Sequence, residues 1–183
     1  DENGNLLEED KQTATEETES SEETTDKEEA NADEADSDEE EAAEAEADEA
    51  EAELEAAIEV ENDLRSEIVT YALQFVGNRY KYGGTNPNTG VDCSGFTSYV
   101  MRHAAEVELP HSSGGQSRMG RQVSSSEMRP GDIICYGSGK RINHVALYIG
   151  NGQIVHASTE RTGIKVSRWN YRTPVRIVNV LGD

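Results

Sequence analysis

An α+β fold is predicted by three features of this chain. Helix-period apolar spacing occupies residues 64–119, strand-like alternation replaces it after residue 129, and an Asn151-Gly152 turn joins two of the strands. Helices come first and antiparallel strands after, so the helices are expected on one face of a single sheet. A different kind of sequence precedes this domain. Residues 1–64 hold 30 acidic side chains against two lysines, whereas residues 65–183 hold eight against 14 basic ones, so the net charge of −22 describes neither part. All seven Tyr, both Phe and the Trp lie in the second part, which is long enough to bury one core.

Taken in order, residues 1–62 read as an acidic low-complexity tail. It has too little apolar surface to offset the entropy of ordering, and an Ala/Glu-rich helical spacer begins at about residue 41. The domain spans residues 63–183. Asn62 or Asp63 is the expected cap of a helix over 64–76, with Ile68, Ala72, Phe75 and Val76 on its apolar face and Gly77 as its stop. Residues 78–90 are rich in turn formers. A second helix starts beside Cys93 and runs to 105, and Ser112 or Ser113 caps a short one that ends at Gly120. Strands follow at 133–136, 143–150, 153–158 and 175–181.

Cys93 stands between Asp92 and Ser94 at a helix start, where unpaired N–H groups favour a thiolate. A lone cysteine is more often a small buried hydrophobe, and its partners decide. Downstream, His144 and His156 lie on the two arms of one hairpin, which completes a set of nucleophile, base and orienter. A strict two-residue turn pairs His156 with Leu147 and sets the histidines diagonally; whether both rings share a face depends on register. Metal binding is the rival reading, but no Cys-x-x-Cys or His-x-x-x-His spacing is present. His103 and His111 read as surface or loop residues, His111 edging the cleft.

Five segments in order carry a family resemblance: Tyr80-Lys81-Tyr82-Gly83-Gly84, Val91-Asp92-Cys93-Ser94-Gly95-Phe96, Arg129-Pro130-Gly131-Asp132, residues 143–152, and Ile154-Val155-His156-Ala157. Together they resemble the NlpC family of bacterial cell-wall cysteine peptidases. The resemblance implies a papain-like cysteine peptidase fold and cleavage of peptidoglycan stem peptides, most often between γ-D-glutamate and the following diamino acid. By motif, Cys93 is the nucleophile, His144 the general base and His156 its orienter. Tyr80 joins the Cys93 backbone N–H as an oxyanion donor, and Tyr82 is a packing aromatic. Asp92 and Ser94 match positions that hold a substrate amine in some members, although Asp92 equally fits a helix cap. Ser112 and Ser113 border the same region. One departure is His111, where members often carry arginine after Leu-Pro.

Cys135 falls at a buried strand position and is read as core, since a disulfide to Cys93 would remove the nucleophile. The resemblance calls for no cofactor and no metal, no nucleic-acid partner and a monomer. No apolar run of roughly 18 residues occurs, so no membrane span is expected. A start at Asp1 rather than Met fits removal of an export signal or a trimmed chain, and the expected location, secreted or wall-associated, follows from function. Two alternatives stay open: a papain-like amidase cutting before L-alanine, and a wall-binding module without activity.

Overall fold

The computed structural model describes the backbone of residues 36–183 and the side chains of 49–183, so the tail reading for residues 1–35 lies outside the described residues. The chain divides into two units, Asp1–Ala45 and Glu46–Asp183. The first helix, α1, is Asp36–Leu73 and is continuous across residues 62 and 63. Neither Asn62 nor Asp63 therefore caps a helix. The Ala/Glu-rich stretch has strong helix propensity, and no Gly or Pro interrupts it before the domain begins. Leu54, Ile58 and Val60 on α1 are exposed, while Ile68, Ala72 and Phe75 are buried. Val76, expected on the apolar face, is exposed as well, because α1 ends at Leu73 and the following turn rotates it away.

A two-stranded ribbon, β1 (Thr85–Asn86) and β2 (Gly90–Val91), leads into α2 (Cys93–Ala105) and the one-turn α3 (Ser113–Gln116). Six strands follow: β3 (Arg121–Gln122), β4 (Ile133–Ser138), β5 (Arg141–Gly150), β6 (Gln153–Thr159), β7 (Gly163–Arg168) and β8 (Pro174–Asn179). They form one antiparallel sheet in the order β3-β8-β4-β5-β6-β7. Two of these strands, β3 and β7, were not among the predicted four. Alternation along the strands splits the core in two. Ile133, Cys135, Val145, Leu147, Val155 and Ala157 pack with Ile68, Phe75, Phe96 and Val100 of the helices. Ile134, Tyr136, Ala146, Ile154 and Ile177 face the other way, against Met128, Tyr148 and Trp169. Helices thus cover one face, as the sequence predicts. Cys135 is fully buried and free, in keeping with a core role.

The β5–β6 hairpin sets the geometry of the site. Asn151 (φ 51°) and Gly152 (φ 72°) both adopt positive φ, the signature of a tight hairpin turn. Gly150 pairs with Gln153, but the next pairs are Tyr148↔Ile154 and Leu147↔Val155, so a bulge at Ile149 shifts the register by one. Without it, His156 would face Leu147 and the two histidines would lie on opposite faces. With it, the register set by Leu147↔Val155 puts Ala146, not Leu147, level with His156, and both histidines come to one face.

Candidate active site

Cys93 is the first residue of α2, and Asp92 is its N-cap, with extended backbone. The Asp92 carboxylate accepts from the Gly95 N–H at 2.8 Å and from the Gly83 N–H at 3.0 Å, which ties the 78–90 loop to the helix start. The loop comes that close only because residue 95 lacks a side chain. A Cβ there would stand 2.2 Å from the Gly84 carbonyl oxygen. Two influences compete at the thiol. Burial pushes the thiol pKa up and nearby Asp92 adds to that, while the backbone N–H groups of Val145, Ser94 and Cys93 itself favour the anion. Burial wins, so the resting group is a thiol. The helix-start amides still favour the anion, as the sequence reading expects, but burial outweighs them. The Val145 N–H also fixes the neighbourhood, because His144 is the preceding residue.

His144 and His156 are both buried, and their rings are joined, His144 Nε2 to His156 Nδ1 at 2.7 Å. His156 Nε2 lies 3.0 Å from Ser167 Oγ. Of the two proton arrangements that satisfy the chain, one has His144 Nε2–H donating to His156 Nδ1 and His156 Nε2–H donating to the Ser167 hydroxyl. It leaves His144 Nδ1 as the open acceptor, the state that a base beside a thiol requires. Burial first, then the charge of Arg172, pulls the His144 pKa down to about 4. Burial, then His144 and Lys165, takes His156 down to about 3. Thiol and imidazole are therefore both neutral at pH 7.

Tyr80, Cys93 and Asn143 border two lobes of one cleft. The first lobe contains Asp92, Ser94, Ser112 and Ser113, so these predicted residues come together. Ser112 caps α3 by accepting from the Gly115 N–H. Buried Gln116 anchors α3 to α2: its amide nitrogen donates to the Ser94 carbonyl and to Ser98 Oγ, each at 2.9 Å, and Thr97 Oγ1 donates to Gln116 Oε1 at 2.7 Å. One expectation fails here. Tyr82 is not a packing aromatic; it is 84% exposed on the cleft rim, since the glycine turn after it points the ring outward. His111 is an exposed loop residue at the cleft, as expected, and it is tied to the helix cap. Its Nε2 lies 2.8 Å from Asp92 Oδ1, which also accepts from Ser94 Oγ at 3.3 Å.

The second lobe holds His144, Ser158, Thr159, Tyr171 and Arg172. Sequence reasoning missed Ser167, Asn143 and Arg172. Ser167 pairs with Ile154 in the β6–β7 ladder and so sits diagonal to His156, a relation readable only once β7 and its register are known. Among the described residues, no cluster of three or more His, Cys, Asp or Glu side chains has a metal-binding arrangement.

Comparison with known proteins places this geometry in context. Residues 77–177 match the profile of the NlpC/P60 family. The murein DD-endopeptidase MepS/murein LD-carboxypeptidase of Escherichia coli (strain K12) is 41% identical over 108 residues, covering 59% of this chain and 56% of that protein. The chain thus spans about half the length of this curated relative. The crystal structure of the NlpC/p60 domain of the peptidoglycan hydrolase SagA aligns with a TM-score of 0.58 at 32% identity, over 63% of this chain and 97% of that one. The peptidoglycan hydrolase RipB of Mycobacterium tuberculosis aligns with a TM-score of 0.57 at 29% identity, over 65% of each chain. The α+β fold is the papain-like fold that these domains share.

Proposed function

This chain belongs to the NlpC/P60 family, and on that premise we propose that it is a peptidoglycan hydrolase, a cysteine peptidase cutting stem peptides at the γ-D-glutamyl–diamino acid bond. The observation that carries the reading is the His144–His156–Ser167 chain beside a cysteine at a helix start. His144 Nδ1 takes the thiol proton as the sulfur attacks the substrate carbonyl. Negative charge on the carbonyl oxygen is met by the Cys93 backbone N–H and the Tyr80 hydroxyl, in an interior where such donors count for more than in water. The imidazolium then gives its proton to the departing amine. Water, activated by the same Nδ1, releases the acid from the thioester. His156 holds the tautomer and spreads the transient charge. Asp92, Ser94, Ser112 and Ser113 bind the acyl half of the substrate, outside the cytoplasm at the cell wall, with one chain sufficient to form the site.

A second reading of the bond is favoured by one contact. The Asp92 carboxylate is already engaged by His111, Ser94 and two backbone N–H groups, which weakens it as a reader of a free substrate amine. The Escherichia coli relative is named for DD-endopeptidase and LD-carboxypeptidase activities, so a bond further along the stem is the alternative. Digestion of defined muropeptides, with mass spectrometry of the products, distinguishes these bonds and also the bond before L-alanine. Cys93→Ala is expected to abolish product release. Undiminished hydrolysis by that variant would overturn the nucleophile assignment, and wall binding without any product would return the chain to a binding role.

A further inference from the structure

The two lobes of the cleft differ in their charged lining: Asp92, His111 and the exposed Arg141 border the first, and Arg172 borders the second. In the first, the carboxylate of Asp92 is answered by His111. In the second stands the half-buried guanidinium of Arg172, on the loop between β7 and β8. Among the described residues, no Asp or Glu lies within ion-pair distance of it. Arg172 is nevertheless held in place: its Nη2 donates to Asn143 Oδ1 at 3.0 Å, and its guanidinium carbon lies 5.8 Å from the centre of the Tyr136 ring. A fixed cation in a partly desolvated cleft, with donors to spare, is a ready partner for a carboxylate, which accepts from a guanidinium in a two-pronged pair.

The chemistry indicates which half of the substrate meets it. His144 must return its proton to the departing amine, and His144 borders the second lobe and not the first. The second lobe therefore takes the leaving residue. An amino acid that leaves through its α-amine carries its α-carboxyl group one carbon away from that nitrogen, as a free carboxylate when the chain ends there and as an amide when it continues. A dicarboxylic diamino acid offers a second carboxylate at its far end. We propose that Arg172 is a specificity-determining residue that binds a free carboxylate on the leaving residue. The proposal rests on Cys93 and His144 acting as nucleophile and base. The bond changes are those of acyl transfer: the C–S bond forms, the C–N bond breaks, the amine departs with the His144 proton, and the carboxylate is unaltered.

The test uses the full chain and two matched pairs of stem peptides. One pair has the α-carboxylate of the leaving residue free or carboxamidated; the other has the far-end carboxylate free or carboxamidated. The wild type is expected to favour the acid of one pair by about tenfold in kcat/KM, a size typical of one charge-assisted contact. Arg172→Gln should collapse that acid-to-amide ratio towards one, and Arg172→Lys should retain part of it. Because Arg172 also acts on His144, its loss can change both rates together, and the ratio removes that shared change. The pair that responds identifies which carboxylate is bound. A wild-type ratio near one in both pairs, or a ratio unaltered in Arg172→Gln, would overturn the inference. Activity persisting in Cys93→Ala would instead overturn the reading on which it rests, whereas an inert Cys93→Ala with an indifferent Arg172 would remove this inference alone.

Discussion

Ser167 shows how a residue that need not touch substrate can govern the base. In the arrangement that leaves His144 Nδ1 open, the Ser167 hydroxyl accepts from His156 Nε2–H, so that His156 Nδ1 is unprotonated and accepts from His144 Nε2–H. Removing the hydroxyl weakens the tautomer that catalysis needs. Ser167→Ala is expected to lower kcat by about three- to tenfold, the worth of one neutral hydrogen bond, with KM little changed. Ser167→Thr should restore most of the rate. A fall in KM-linked binding with kcat intact, or no rescue by Thr, would show that the serine serves packing alone. At this scale, the sequence located what local motifs encode. Cys93, Tyr80, Asp92, Ser94, Ser112, Ser113 and His144 were all marked from their immediate neighbours, and all border one cleft. Ser167, Arg172 and the His111–Asp92 contact were not legible, because each depends on strand register or on how a loop closes over the sheet.

The end of α1 is tied to the sheet by a buried ionic cluster. Arg65, 3% exposed, donates from Nη2 to both oxygens of Asp183, at 2.7 and 2.8 Å, and reaches Asp132 Oδ1 at 3.3 Å and the Pro130 carbonyl oxygen. Arg129 meets Asp183 from the other side at 2.8 Å. Such a cluster does not have to outperform a hydrophobic replacement of the whole set, but deleting its central cation strands carboxylates that are costly to bury alone. Arg65→Met is expected to cost about 3–5 kcal/mol of unfolding free energy. The measurement is urea denaturation, with the midpoint falling and the slope unchanged; a loss under about 1 kcal/mol would mean that Arg129 and solvent suffice to hold Asp132 and Asp183. This cluster also explains part of what sequence patterns could not give. Apolar periodicity found the buried side of α1 through Ile68, Ala72 and Phe75, but Arg65 counts only as a charge until its partners about 70 and 118 residues away are folded beside it. In the same way, β7 escaped notice because its exposed Val166 and half-buried Lys165 blur the alternation, and β3 because it has two residues. The bulge at Ile149 has no sequence signature, yet it decides the face on which His144 lies.

The whole domain carries the acid sensitivity of its two buried histidines. Unfolded histidine titrates near 6.5, whereas in the folded chain burial holds His144 at about 4 and His156 at about 3. Between these limits the unfolded chain binds protons that the folded chain refuses. Stability therefore rises with pH through this window: it is fully present above about pH 6.5 and is lost as pH falls towards 4. One such histidine accounts for about 2–3 kcal/mol over that range. Other groups act lower down or equally in any variant. Asp183, held below the ordinary carboxylate range although burial opposes this, by its bonds to Asn179 and Arg65, loses its contribution only below the unfolded carboxylate pKa near 3.9. Asp132, whose carboxyl is raised by burial, works in the opposite direction. The informative quantity is consequently the difference between two proteins. His156→Gln keeps a hydrogen-bonding side chain at the site and removes one titrating ring. Unfolding free energy of the wild type and of His156→Gln, measured every half unit between about pH 7 and 4, should fall more steeply for the wild type, which loses about 2–3 kcal/mol more than the variant whatever the variant's stability at neutral pH. Parallel curves would mean that His156 is not held neutral by the fold. The neutral imidazole–thiol pair would then have to give way to a charged resting state, and the sequence of proton transfers in the site would begin from a different arrangement.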